Sequence, residues 1–380
     1  MKNYNPPTIL IIVAICLTAC SHDLSLATII NGDGSCTREL SFRADSSSLF
    51  SADYDFSAME GVNLNNDDWT FSWGVKGDMS RHQLPISIEE FRRIEDEVKA
   101  QNHNKSAYDT LRIYAVRTFE TIEEMESSPA ILFRGKPLQS KITLRKSFKW
   151  FYTDYTYTET FPAVTQEFST PLEQYMEPEV ASSWFTGEPD LTRYLYGEDK
   201  RSAIDEMARK ANNWMTANIC DVTHKYICDY YDSIPNPPVD KDRFTAMHDS
   251  IVAYAIKNSF ELDNITDNLG VLYSNYFHSH AYDILFDEST DSYNDLENRF
   301  EPYTGIFTLS FDYTLVLPGK MNNVTSNSPF TKKIRGENFI PHDYTISASS
   351  RQTNTWTFII TTLIILLAIG SLGYRKKEGK

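Results

Sequence analysis

The chain lacks the features that usually reveal a chemistry. Its 15 glycines never gather into a phosphate-cradling loop, which excludes the common nucleotide-binding designs. No Ser-His-Asp order, heptad pattern or internal repeat of about 20 to 50 residues is present. Basic side chains are also scarce, 36 against 52 acidic, for a net charge of -16. They form no cluster in the body of the chain, which excludes nucleic acid as a partner. Only five cysteines occur in 380 residues. Cys220 and Cys228 fall on one helical pattern, where residues eight apart lie about 12 Å apart along the axis, so two separate thiols are expected, and a bridge would need the helix to break between them. Cys36 lies on an apolar strand parity and is expected to be buried. What is abundant is apolar material, 41% hydrophobic and 13% aromatic, enough for folded domains and too much for a disordered chain.

Part of that material sits at the two ends. Lys2, the apolar stretch from Ile9 to Leu17, and Leu17-Thr18-Ala19-Cys20 have the layout of a bacterial lipoprotein signal over residues 1–19. Small residues suit the peptidase, and the Cys20 thiol is the expected acceptor of the lipid. At the other end, the 19 residues from Trp356 to Tyr374 carry no charge, which predicts a transmembrane helix over 356–374. Trp356 and Tyr374 are its expected interfacial aromatics. Arg375, Lys376 and Lys377 open a basic tail, 375–380, which the positive-inside rule places in the cytoplasm. Without both ends the body keeps 31 basic and 51 acidic residues, about -20. Anionic headgroups repel such a body, so tethers rather than electrostatic adhesion would hold it at a membrane.

The body reads as α+β. Residues 20–165 are β-rich: Leu24–Ile30, a turn, and Cys36–Ala44 suggest a hairpin, and Trp69, Phe71, Trp73 and Val75 alternate as a strand. Ile88, Phe91, Ile94 and Val98 place one stripe on a helix. Residues 142–161 form a long β segment whose apolar parity switches near Thr153 and Asp154. Residues 166–300 have helical periodicity, including one long helix through Ile204, Ala211, Ile219 and Tyr226, and a later one running through Ala281 to Leu285. Strands return over 301–355, first from Phe307 to Leu317 and last around Tyr344 to Ala348. Because the first strand follows the lipid site and the last precedes the apolar run, we expect them to pair antiparallel. The expected architecture is therefore a membrane-proximal, mainly antiparallel sheet made by both chain ends, with a helical insertion and a C-terminal transmembrane helix.

Candidate chemistry is thin. His278-Ser279-His280 with Asp283 resembles part of a metal site, but helical period turns the two imidazoles about 200° apart and puts His280 on the buried stripe. Asp287, Ser289 and Asp291 resemble the start of a calcium loop, yet the turn glycine is missing and the twelfth position is Asn298. Trp150, Tyr152, Tyr155 and Tyr157, in one aromatic run with Phe148 and Phe151, could stack on sugar rings; cross-strand aromatic packing explains the same run. No catalytic, cofactor-binding or metal-ligating residue is assigned, and no cofactor is expected.

The segment Leu315-Val316-Leu317-Pro318-Gly319-Lys320, through Ser326-Asn327 to Tyr344-Thr345-Ile346-Ser347-Ala348 and the apolar run after it, resembles the close of LppM-type lipoprotein domains. The resemblance covers about the last fifth of the chain. It implies an α+β lipoprotein domain with a lipidated start and a membrane-spanning end, and lipid or glycolipid handling. The helical block from Thr170 to Glu288 departs from that pattern. These readings together point to a doubly anchored envelope lipoprotein that acts as a non-enzymatic binding or assembly protein. The alternatives are a lipid- or glycolipid-binding module and an envelope enzyme. Its expected partners are membrane lipid, through Cys20 and the C-terminal helix, and an envelope protein or glycolipid. Its expected place is the bacterial cytoplasmic membrane, with the body on the outer, periplasmic side and the C-terminus in the cytoplasm.

Overall fold

The computed structural model describes residues 24–378 apart from 45, 57–60, 65–66, 77–79, 102–109, 165–167, 259–264 and 323–328, with side chains at the C-terminal end described as far as 371. Twelve strands are present among these residues: β1 Leu24–Ile30, β2 Cys36–Arg43, β3 Thr70–Val75, β4 Leu111–Phe119, β5 Leu132–Phe133, β6 Lys136–Pro137, β7 Lys141–Phe148, β8 Tyr152–Phe161, β9 Ser310–Val316, β10 Lys320–Met321, β11 Phe330–Arg335 and β12 Tyr344–Thr353. A six-stranded sheet has the order β11-β9-β1-β2-β4-β3, and a four-stranded sheet the order β10-β12-β8-β7. All pairs are antiparallel except β1 with β9, where Leu24 lies opposite Phe311 and Ile29 opposite Val316.

Alternation explains the packing. Leu24, Leu26, Thr28 and Ile30 of β1, and Tyr155, Tyr157, Glu159 and Phe161 of β8, are the buried parities of their strands. The two sheets bring these inner faces into one apolar core, to which Ile346 and Ala348 of β12 also belong. Helix α1 (Ser46–Phe50) contributes Leu49 to it. Helix α2 (Ile88–Gln101) lays the stripe Phe91, Ile94 and Val98 against it. Helix α3 (Ile122–Glu126) is capped by Thr121, whose side chain accepts the Glu124 N–H, and adds Ile122 and Met125.

The remaining helices build a second core. These are α4 Pro178–Thr186, α5 Gly197–Asp229, α6 Lys241–Ala246, α7 His248–Lys257, α8 Ile265–Phe277 and α9 Asp291–Thr308. Helix α5 starts with Glu198 and Asp199 in its first turn, where the helix dipole favours them. The prolines at 235, 237 and 238 separate its end from α6. Trp214, Ile219 and Tyr226 of α5 pack with Phe244, Ile251, Leu272 and Phe300 of its neighbours. Phe244 lies 5.3 to 6.2 Å from the rings of Tyr231, Tyr273, Phe277 and Tyr282.

Several expectations are corrected. The structure is α+β as expected, with one sheet made mixed by its single parallel pair, but the first and last strands do not pair: β1 lies between β9 and β2, while β12 lies in the facing sheet. Nor does one leave the end to which the other returns. Arg38, opposite Thr28 of β1, meets Glu159, opposite Ile346 of β12. Six residues further along β12, Gln352 accepts a hydrogen bond from the Tyr155 hydroxyl, which also reaches the Gly32 carbonyl just beyond β1. Both strands therefore run toward the same end of the sandwich.

The C-terminal helix α10 runs Thr355–Glu378. Among the described residues no helix is long and apolar enough to cross a membrane, and this overturns the transmembrane assignment of 356–374. Two boundaries move as well. Helix α9 continues to Thr308, so the returning strand begins at Ser310 rather than Phe307. Helix α8 stops at Phe277, and Asp283–Phe286 forms a separate 3-10 turn.

Candidate functional site

The parity switch in the 142–161 segment is a tight hairpin. Lys149 and Tyr152 exchange backbone hydrogen bonds of 2.8 and 3.3 Å, which leaves Trp150 and Phe151 at the tip. Strand periodicity would put Phe148 and Trp150 against a core. Instead Phe148, Trp150 and Phe151 are 54, 45 and 42% exposed, and they meet the start of α10. The Phe148 ring stacks on Trp356 at 6.1 Å, Trp150 meets Trp356 edge to face at 6.0 Å, and Phe151 lies 4.8 Å from Phe358. The Trp150 indole N–H donates to the Thr361 hydroxyl at 2.8 Å.

Asn354, just before α10, welds the tip to the helix. Its backbone N–H donates to the Phe151 carbonyl at 2.9 Å, and its side-chain amide donates to the Lys149 carbonyl at 2.7 Å. The Thr153 hydroxyl donates to the Asn354 side-chain oxygen at 2.9 Å, and the Thr357 hydroxyl to the Asn354 carbonyl at 2.7 Å. Beyond this joint α10 is apolar on every side. Leu363, Ile364, Ile365, Leu366 and Leu367 are consecutive and each is more than half exposed. Five successive residues exceed one helical turn, so no face of this stretch is covered. The result is one continuous apolar surface running from the hairpin tip along the helix.

Cations surround its base. Lys149 is exposed beside the tip, and Lys146 lies 5.7 Å from the Tyr155 ring. Arg351 covers the Tyr152 ring at 3.9 Å and pairs with Asp154 at 2.7 Å, a contact that raises its pKa. In a body rich in carboxylates this is a local basic collar.

Of the aromatic residues singled out in the sequence, Trp150 and Trp356 therefore come together in this surface. Tyr152 is half-buried, while Tyr155 and Tyr157 are buried, so the four hairpin aromatics do not form one exposed platform. Cys20 lies outside the described residues, and the side chains of Tyr374, Arg375, Lys376 and Lys377 lie outside those described. Phe148 and Phe151 belong to the aromatic run named in the sequence, where an apolar pair at a turn is the signal, since polar residues are usual there; Asn354 was not foreseen as a site residue.

The other candidates resolve into structure. His280 is exposed rather than buried, because the helix ends at Phe277 and His278 takes a φ of 50°. Its Nδ1 lies 2.8 Å from Asp283, in a turn. Asp287 accepts from the Ser289 N–H and hydroxyl at 2.9 and 2.7 Å, which is turn chemistry. Cys36, Cys220 and Cys228 are free thiols. Burial pushes Cys36 up to about 11 and Cys220 up to about 12, so neither is a reactive thiolate at neutral pH. No grouping of three or more His, Cys, Asp or Glu able to hold a metal occurs among the described residues.

One polar constellation was unforeseen. Glu159, fully buried between the sheets, accepts from Arg38 at 2.7 Å, Ser140 at 2.6 Å, Tyr157 at 2.9 Å and Tyr313 at 2.7 Å. Burial and then the neighbouring carboxylate drive Tyr157 and Tyr313 well above the usual phenol range. Burial alone would lower Arg38, but the Glu159 carboxylate outweighs it and raises the guanidinium. The ion pair and its hydroxyl donors hold the two sheets in register. They are closed off from solvent.

The chain matches no protein-family model, no curated protein and no solved structure with which it was compared.

Proposed function

We propose that the chain is a lipid-attached protein of the bacterial cell envelope that binds or assembles with another envelope component and catalyses no reaction. The observation that carries this reading is the continuous apolar surface of Phe148, Trp150, Phe151 and α10. Burying a Leu, Ile or Phe side chain is worth about 1.5 to 3 kcal/mol. An uncovered surface of this extent marks an interaction site, and its aromatic and basic rim suits the headgroup level of a bilayer. Membrane lipid is the proposed covering, on the outer face of the cytoplasmic membrane, and an acyl-modified Cys20 is the proposed second attachment. The non-catalytic part of the reading rests on burial: Glu159 and its tyrosines, Cys36 and Cys220 all stand in packed interiors.

Expression in a bacterial host with an alkyne-tagged fatty acid, followed by detergent phase partition, tests the attachment. The wild type is expected to carry the tag. Cys20→Ser is expected to lose the tag and still enter the detergent phase through α10. Retention of the tag in that variant contradicts lipidation at Cys20. Recovery of Cys20→Ser in the aqueous phase contradicts the lipid-contacting surface.

A further inference from the structure

The face of the six-stranded sheet turned toward the helical block holds a cleft of about 460 Å³. It opens between α4 and α5 on one side and the end of β11 on the other, away from α10. Alternation along β11 sorts its basic residues: Lys332 shares a parity with the buried Ile334, and Lys333 shares the other with Arg335. Lys332 is satisfied, 3.0 Å from Glu188 and 5.2 Å from the Tyr344 ring. Lys333 and Arg335 line the cleft.

Neither of these two forms an ion pair among the described residues. Asp312 lies opposite Lys333 in the strand register and makes no ion pair with it. Glu337 also lines the cleft beside Arg335; burial raises its pKa and the guanidinium opposes that rise, so the anionic group of a ligand is expected to bear mainly on Lys333 and the free side of Arg335. Two cations that make no ion pair among the described residues line one cleft in a chain with 52 acidic and 36 basic residues.

The cleft is rigidly built. The Asn338 side chain accepts from the Arg335 N–H at 2.8 Å and donates to the Phe185 carbonyl at 2.6 Å, tying β11 to α4. At Gly336 a Cβ would collide with the carbonyl of Ile306, so glycine is what lets the end of β11 approach α9. The walls are the half-buried rings of Trp184 and Phe307, and the half-buried Asn212 adds an amide. A cleft of this volume is in the range of small-molecule sites. Cations select an anionic group, aromatic faces a ring, and an amide the hydroxyls of that ring.

We infer that this cleft between the helical block and β11 binds a phosphorylated or carboxylated sugar, with Lys333 and Arg335 on the anionic group and Trp184 against the ring. A free sugar phosphate and an acidic envelope glycan share that chemistry.

The test is calorimetric titration of the full chain in detergent with glucose 6-phosphate, a galacturonate trisaccharide, glucose and inorganic phosphate. At least one of the two anionic sugars is expected to bind at a single site, tenfold or more tighter than glucose or inorganic phosphate. The tighter of the two identifies the source. The double variant Lys333→Gln/Arg335→Gln is expected to weaken binding tenfold or more, as is Trp184→Ala, whereas Lys332→Gln leaves it unchanged. Thermal melts establish that each variant is folded. Absence of saturable binding by either anionic sugar overturns the inference. So does equal affinity for inorganic phosphate, or binding indifferent to the double variant in folded protein.

Discussion

Glu159 stands where alternation puts a core residue, and its four donors make the position tolerable. Glu159→Ala would strip partners from Arg38, Ser140, Tyr157 and Tyr313 together and leave a buried guanidinium unpaired, so a loss of about 3 to 5 kcal/mol is expected in urea unfolding. Glu159→Gln, whose amide oxygen still accepts, should cost clearly less. The pairing could be anticipated in part. Arg38 shares the parity of Cys36, Leu40 and Phe42, and Glu159 that of Tyr155, Tyr157 and Phe161, so each strand shows a charge on its apolar face. That the two faces would meet depends on sheet packing, which no local pattern carries. His224 behaves differently. It stacks on Phe244 with ring centroids 4.6 Å apart, and burial, followed by the neighbouring His248, pushes it down to about 4 from 6.5. With the folded value below the unfolded one, the unfolded chain binds more protons between those limits. Stability is therefore lost as pH falls from about 6.5 toward 4, by roughly 3 kcal/mol at most from this residue. Replacing it, as in His224→Phe, should flatten that part of the pH dependence of the melting temperature.

At the scale of elements, strong periodicities were legible and joints were not. The stripe Phe91, Ile94 and Val98 and the long pattern through Tyr226 correspond to α2 and α5. The alternation from Phe307 was misleading because Phe307 and Leu309 also fit the packed end of a helix, and α9 carries Pro302 without stopping. Parity shows a bulge or turn but puts it a few residues late, near Thr153, since Trp150 continues the even alternation into the hairpin tip at 149–151. Its position is set by Asn354, more than 200 residues away in sequence. Asn354→Ala removes the amide contacts to the Lys149 and Trp150 carbonyls and the acceptor for Thr153. A loss of about 1 to 3 kcal/mol is expected, and hydrogen exchange should show faster exchange of the Tyr152 amide while the six-stranded sheet stays protected.

For the whole molecule, the direction of the first strand is decisive. β1 and β12 run toward the same end, and α10 begins there, so Leu24 lies at the other end, about 20 Å away along β1. Cys20 precedes Leu24 by four residues and reaches about 14 Å at most. A lipid on Cys20 and an α10 in contact with the same bilayer would thus lay the sandwich along the membrane instead of standing it upright. Strand direction was not legible in the sequence because it depends on the parallel pairing of β1 with β9, more than 280 residues apart. The central claim is that lipid covers the surface of α10 and the hairpin tip. Cross-linking of the protein in liposomes that carry a photoactivatable phosphatidylcholine, mapped by mass spectrometry, tests it most directly. The account predicts lipid adducts on Phe148, Trp150 and Phe151 and along α10 from Trp356 onward. Liposome-bound protein with no adducts on α10 or the tip would contradict it.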